Sequence, residues 1–176
     1  MNIFKKLDEK YGNKGWWQFV KFNIVSFSTS IIQFLLANLL PFFFDGLKAK
    51  LPVFLRGFFD PAVLFEAGSR YVVDGVTTWG YVLPFFLSNF LANIYSYFVN
   101  MKTTFKGKGT KKGMAMYLIV LMALILFSTW LQGVIVSYLS KTSLRALART
   151  IAASAAGLVQ LAVLFPFEKY VLFKED

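Results

Sequence analysis

Apolar residues run along this chain in four long blocks that carry no charged side chain: residues 22–44, 75–101, 113–140 and 150–167. They cover 96 of the 176 residues, so every charge is confined to the segments between them. A helix needs about 20 apolar residues to cross the hydrocarbon of a bilayer. The pattern therefore predicts four crossings, at 19–43, 79–101, 114–138 and 147–167. Trp16 and Trp17 stand just before the first, where indoles favour the headgroup layer, and Pro41 marks its exit. Ser26, Ser28, Thr29 and Ser30 interrupt that block, and no small-residue cleavage site follows it, so the span is expected to persist in the mature protein. The expected fold class is all-α: a polytopic membrane protein of four transmembrane helices forming a single domain over residues 1–176.

Residues 45–74 form the one long connection. Within it Leu47, Leu51, Phe54, Leu55, Phe58 and Phe59 recur at helical spacing, with Lys48, Lys50 and Arg56 between them. That pattern fits a short helix lying in the interface, with Pro52 in or near its first turn. An irregular loop packed on the bundle is the other reading.

Composition narrows the chemistry. Charged residues make up 16% of the chain, against about 25% in soluble domains, and no segment is left over for a separate catalytic domain. Without cysteine there is no disulfide, thiolate metal site or thiol nucleophile, and without histidine the commonest base and metal ligand is missing. Asp45, Asp60, Glu66 and Asp74 share one connection without metal-ligand spacing, and Glu168 at a membrane boundary is expected to pair with Lys169 or Lys102. The expectation is a protein that is not an enzyme and has no metal or cofactor. The net charge of +10 is assigned to topology and anionic lipid headgroups, not nucleic acid, because the basic runs lack any element that reads bases. With both termini in the cytoplasm, the inner segments hold 12 of the lysines and arginines and the outer loops 7. The positive-inside rule then predicts a protein of the cytoplasmic membrane with both termini in the cytoplasm.

The two halves of the chain echo each other. Thr29-Ser30-Ile31-Ile32-Gln33 in the first crossing has the hydroxyl and amide spacing of Ser128-Thr129-Trp130-Leu131-Gln132 in the third. The second crossing ends Asn100-Met101-Lys102-Thr103-Thr104-Phe105-Lys106, and the fourth ends Glu168-Lys169-Tyr170-Val171-Leu172-Phe173-Lys174. Both hairpins would run in–out–in, which makes them parallel repeats about an axis along the membrane normal.

Asn100-x-Lys102-x-Thr104-Phe105 after the second crossing, with Phe167-Glu168-Lys169-x-x-x-Phe173 after the fourth, resembles the GtrA-like family. That family also contains the transmembrane partners of dolichol-phosphate-mannose synthases. The resemblance spans residues 19–174 and is most specific over 100–105. It implies a four-helix protein of cell-surface polysaccharide or teichoic-acid glycosylation that moves a polyprenyl-phosphate-linked sugar across the membrane. A support role for a membrane glycosyltransferase is the first alternative. A small multidrug-type exporter is the second, disfavoured by the absence of a carboxylate within the charge-free blocks.

Asn89, Asn93, Ser96 and Asn100 fall on one helix face and must point into protein or a hydrated cavity. They read either as a ladder of donors for a moving phosphate or sugar, or as ordinary interhelical hydrogen bonding. Gln33 and Gln132 would meet across the repeat axis, to clasp a sugar hydroxyl or each other. Lys102, Lys106 and Lys169 are candidate ligands for a lipid phosphate on the inner face, and Arg145 and Arg149 on the outer face, where their charge opposes the positive-inside bias. For all five, simple topology determinants are the competing reading. Ala153-x-x-x-Gly157 is a small-residue face suited to close helix packing or a homodimer.

Overall fold

A computed structural model describes residues 3–44, 46–63, 72–139, 141–144 and 147–173. Most of it is helix, and four helices are long and apolar enough to cross a membrane, as an all-α polytopic protein requires. The N-terminal segment forms α1 (Ile3–Tyr11), and the first span is α2 (Gly15–Leu39). Pro41, which lacks the N–H to continue a helix interior, begins the separate turn α3 (Pro41–Phe44). The second span is α5 (Trp79–Val99), the third α6 (Lys111–Leu139) and the fourth α7 (Ala148–Phe167).

Large apolar side chains cover the outside of the helices, and many polar ones are kept inside. Phe27, Phe34, Phe42, Phe43, Ile119 and Leu158 point outward, whereas Thr29, Ser88, Asn89, Asn93, Ser96, Asn100, Ser128, Thr129 and Glu168 are buried. Apolar flanks, with polar groups kept inside beside an apolar core, suit a lipid solvent, in which amides and hydroxyls must be satisfied by protein. α2 packs chiefly on α5, and α7 on α6, while α2 and α7 barely touch.

The long connection contains a helix. α4 (Val53–Val63) starts directly after Pro52, and the backbone N–H of Leu55 donates to the Pro52 carbonyl. It lies along α6, burying Leu51 and Phe59 with Val82 and leaving Val53 and Phe54 exposed. The hairpin that follows departs from an all-helical chain: β1 (Val72–Val73) pairs antiparallel with β2 (Val76–Thr77). Asp74 and Gly75, both at positive φ, turn it as an Asp-Gly pair does in the tight hairpin turns whose twist matches the strands. Gly80 is required where α5 begins, since a Cβ there would lie 2.9 Å from the Leu47 carbonyl oxygen and 3.1 Å from that of Phe44.

At the opposite end of the bundle, α5 and α7 finish in the same way. Each runs into a π-helical turn, Asn100–Thr104 and Glu168–Leu172. The N–H of Phe105 donates to the Asn100 carbonyl (2.9 Å), and that of Phe173 to the Glu168 carbonyl (2.8 Å). The rings of Phe105 and Phe173 stack with centroids 5.6 Å apart in a buried cluster with Phe22, Tyr97 and Tyr117.

Candidate functional site

Where α2 and α7 barely touch, residues of α2, α5 and α7 line a cleft of about 100 Å³. Its lining comes from three spans: Ser26, Thr29, Ser30 and Gln33 of α2, Asn93 and Ser96 of α5, and Gly157 and Gln160 of α7. Phe22, Leu161 and Leu164 close it toward the π turns. Ser30 and Gly157 are exposed, so the mouth opens sideways on the apolar flank of the bundle. A Cβ at Gly157 would meet nothing within 4 Å.

The α5 face predicted to turn inward does so. Asn89, Asn93, Ser96 and Asn100 are all buried, but they divide between two tasks. Asn93 and Ser96 front the cleft, whereas Asn89 lies outside its lining and Asn100 lies beyond it in the π turn. Much of their hydrogen bonding is internal to the helix. Asn89 Nδ2 donates to the Phe85 carbonyl at 3.1 Å and Asn93 Nδ2 to the Asn89 carbonyl at 2.9 Å. Asn100 Nδ2 reaches Ser96 Oγ at 3.4 Å, and its Oδ1 accepts from Thr104 Oγ1 at 2.9 Å. Tyr117 of α6 ties in by donating to the Asn93 carbonyl at 2.9 Å.

Gln33 reaches the cleft, but the amides that join it there are Asn93 and Gln160, not Gln132. Gln160 Nε2 also donates to Ser128 Oγ at 3.2 Å, so the hydroxyl–amide segment of α6 reaches the cleft's edge through Ser128. Gln132 is half-buried outside the lining. Gln160 was illegible as a site residue because a single amide in an apolar helix has no spacing to mark it. The small-residue face of α7 leaves both Ala153 and Gly157 exposed, with Gly157 at the cleft mouth.

The basic residues at the end of the bundle carrying the π turns are not equivalent. Lys106 Nζ pairs with Asp8 Oδ2 at 2.7 Å. The other carboxylate oxygen accepts from buried Lys21 (2.8 Å) and from the Trp17 indole (3.1 Å), and Lys21 also donates to the Thr103 carbonyl at 2.8 Å. These donors hold the Asp8 carboxyl well below the usual carboxylate range. Lys169 lies over the Phe165 and Tyr170 rings, 5.7 and 5.0 Å from their centroids, and Lys102 is exposed. Arg145 lies outside the described residues, as do Asp45 and Glu66, and Arg149 falls in the first turn of α7.

Glu168 corrects the sequence reading outright. It does not pair with Lys169 or Lys102; it is completely buried, and neither carboxyl oxygen has a hydrogen-bond partner among the described residues. The π turn extends the fourth span past Phe167, so a residue assigned to the boundary sits inside the bundle. The absence of a carboxylate from the spans therefore no longer argues against an exporter. Among the described residues no cluster of acids suited to a metal ion occurs. No family model, curated protein or solved structure matches the chain, so its function rests on the chemistry of the cleft.

Proposed function

We propose that this protein carries a polyprenyl-phosphate-linked sugar across the cytoplasmic membrane, as its resemblance to the GtrA-like family implies, without being an enzyme. One observation carries the reading: a cleft between three spans, in which amides and hydroxyls line one part and apolar side chains the rest, opens sideways onto an apolar flank. A lipid-linked sugar needs that geometry. Its polar head can move along Ser26, Thr29, Ser30, Gln33, Asn93 and Gln160 while the polyprenyl chain stays in lipid beside Gly157.

The finer architecture belongs to the same proposal. Two parallel hairpin repeats, α2–α5 and α6–α7, are supported by the matched π turns and the stacked Phe105 and Phe173. Both termini lie in the cytoplasm on the lysine and arginine count. The inner phosphate would meet Lys102, Lys106 or Lys169, and the outer one Arg145 and Arg149. A second reading, a non-catalytic subunit of a membrane glycosyltransferase, is favoured by the cleft's small volume, which would have to widen for a sugar.

The test is photolabelling of the purified protein by a short-chain polyprenyl-phosphate sugar bearing a photoreactive group on the sugar. Labelled peptides should include residues 26–33, 93–96 and 157–164. Labelling restricted to the connecting loops would remove the cleft from the reading.

A further inference from the structure

Glu168 is the least accommodated group in the described bundle. Its carboxyl is fully buried, and neither oxygen is hydrogen-bonded or ion-paired. The described groups that interact with it are neutral. Tyr97 of α5 and Tyr117 of α6 are its titratable neighbours, and the Asn100 amide of the facing π turn lies against it outside hydrogen-bond geometry. The nearest cation in sequence, Lys169, is held over the Phe165 and Tyr170 rings. An isolated ionised carboxylate costs many kcal/mol in such surroundings, so the group is tolerable only with a bound cation. A proton meets that need on the carboxyl oxygen itself, and no cluster of acids that could hold a metal ion occurs among the described residues.

The position also connects to the cleft. Leu164, one helical turn before Glu168, lines its floor. Ser96, also in the lining, accepts from Asn100, which lies against the carboxyl. Asn100 and Glu168 begin the two π turns, a deformation of the helix that recurs at functional sites. Widening the cleft at Leu164 and Ser96 would separate these turns and admit water to the carboxyl.

We propose that Glu168 is the proton-binding site that couples a proton gradient to movement through the cleft. The carboxyl O–H is intact while the two π turns are closed on each other. When a bound lipid-phosphate head opens them, the O–H bond breaks, the electron pair stays on the carboxylate oxygen and the proton passes to water. Reclosure requires a proton from solution. This rests on the carrier reading, but the proton site can be tested apart from it.

The experiment uses the full chain in lipid nanodiscs with Glu168→Gln and Glu168→Asp variants, all checked for equal thermal stability. Infrared difference spectra over a pH series should show a carboxylic-acid band that titrates in the wild type, is missing from Glu168→Gln and titrates at a shifted pH in Glu168→Asp. A band identical in wild type and Glu168→Gln overturns the proposal, as does an acid band that never titrates in the folded protein. Sodium replacing protons at fixed pH overturns it too. In weakly buffered solution, farnesyl phosphate should release about one proton per ligand bound by wild type and none from Glu168→Gln. Equal release by both overturns the coupling. Failure of wild type to bind farnesyl phosphate counts against the carrier reading, and the infrared series then decides the proton site alone.

Discussion

Asp8 shows how much a single acid can organise at the end of this bundle. It gathers Lys21, Lys106 and the Trp17 indole, and so fastens α1 to the first span and to the segment after the second. Asp8→Asn should cost about 1 kcal/mol at neutral pH, read as thermal unfolding in detergent. Because the folded carboxyl is held below its unfolded value, its contribution is complete above the unfolded carboxylate range of about 4. It declines as pH falls toward the folded value, so the gap between wild type and Asp8→Asn should narrow steadily in acid. A gap independent of pH would mean that the ion pairs do not contribute. The pattern of residues revealed Asn89, Asn93, Ser96 and Asn100, because periodicity records which side of a helix faces inward. It did not reveal depth. Glu168 was misplaced for that reason, and Asp8 was one acid in a basic tail until folding brought Lys106 to it.

At the level of elements, the four spans were legible because charge-free blocks of this length have one physical solution in a bilayer. The helix at α4 was legible as an amphipathic repeat, although only the structure decides that it packs along α6. The hairpin was missed despite a strong local signal: Val-Val-Asp-Gly-Val-Thr supplies β-branched residues around an Asp-Gly turn. The π turns had no signal that spacing alone could decode, though the Asn100–Phe105 and Glu168–Phe173 match marked their location. Those turns lean on each other through Phe105 and Phe173. Replacing either phenylalanine with alanine should destabilise the protein by about 3 kcal/mol. The double replacement should fall short of the sum by about 1 kcal/mol, as expected for rings in contact. Strict additivity in unfolding measurements would deny the contact.

For the whole molecule, the first question is which way it faces. The cysteine-free chain allows single cysteines at exposed Ala49 and Lys108, on opposite ends of the bundle. An impermeant maleimide added to intact cells should modify the cysteine at 49 and spare that at 108; the reverse pattern would invert the proposed orientation. The second question is whether the cleft is a route. Gly157 offers a way to close it without disturbing the helices, since its Cβ direction is open and leucine is the better helix former. The most direct measurement is translocation of a short-chain polyprenyl-phosphate sugar in liposomes containing only this protein. Wild type should move the sugar to the opposite leaflet, and a folded Gly157→Leu variant should be slower by about tenfold, the equivalent of 1.4 kcal/mol on the barrier. No movement by wild type alone, or equal movement by the blocked variant, would contradict a carrier that works through this cleft.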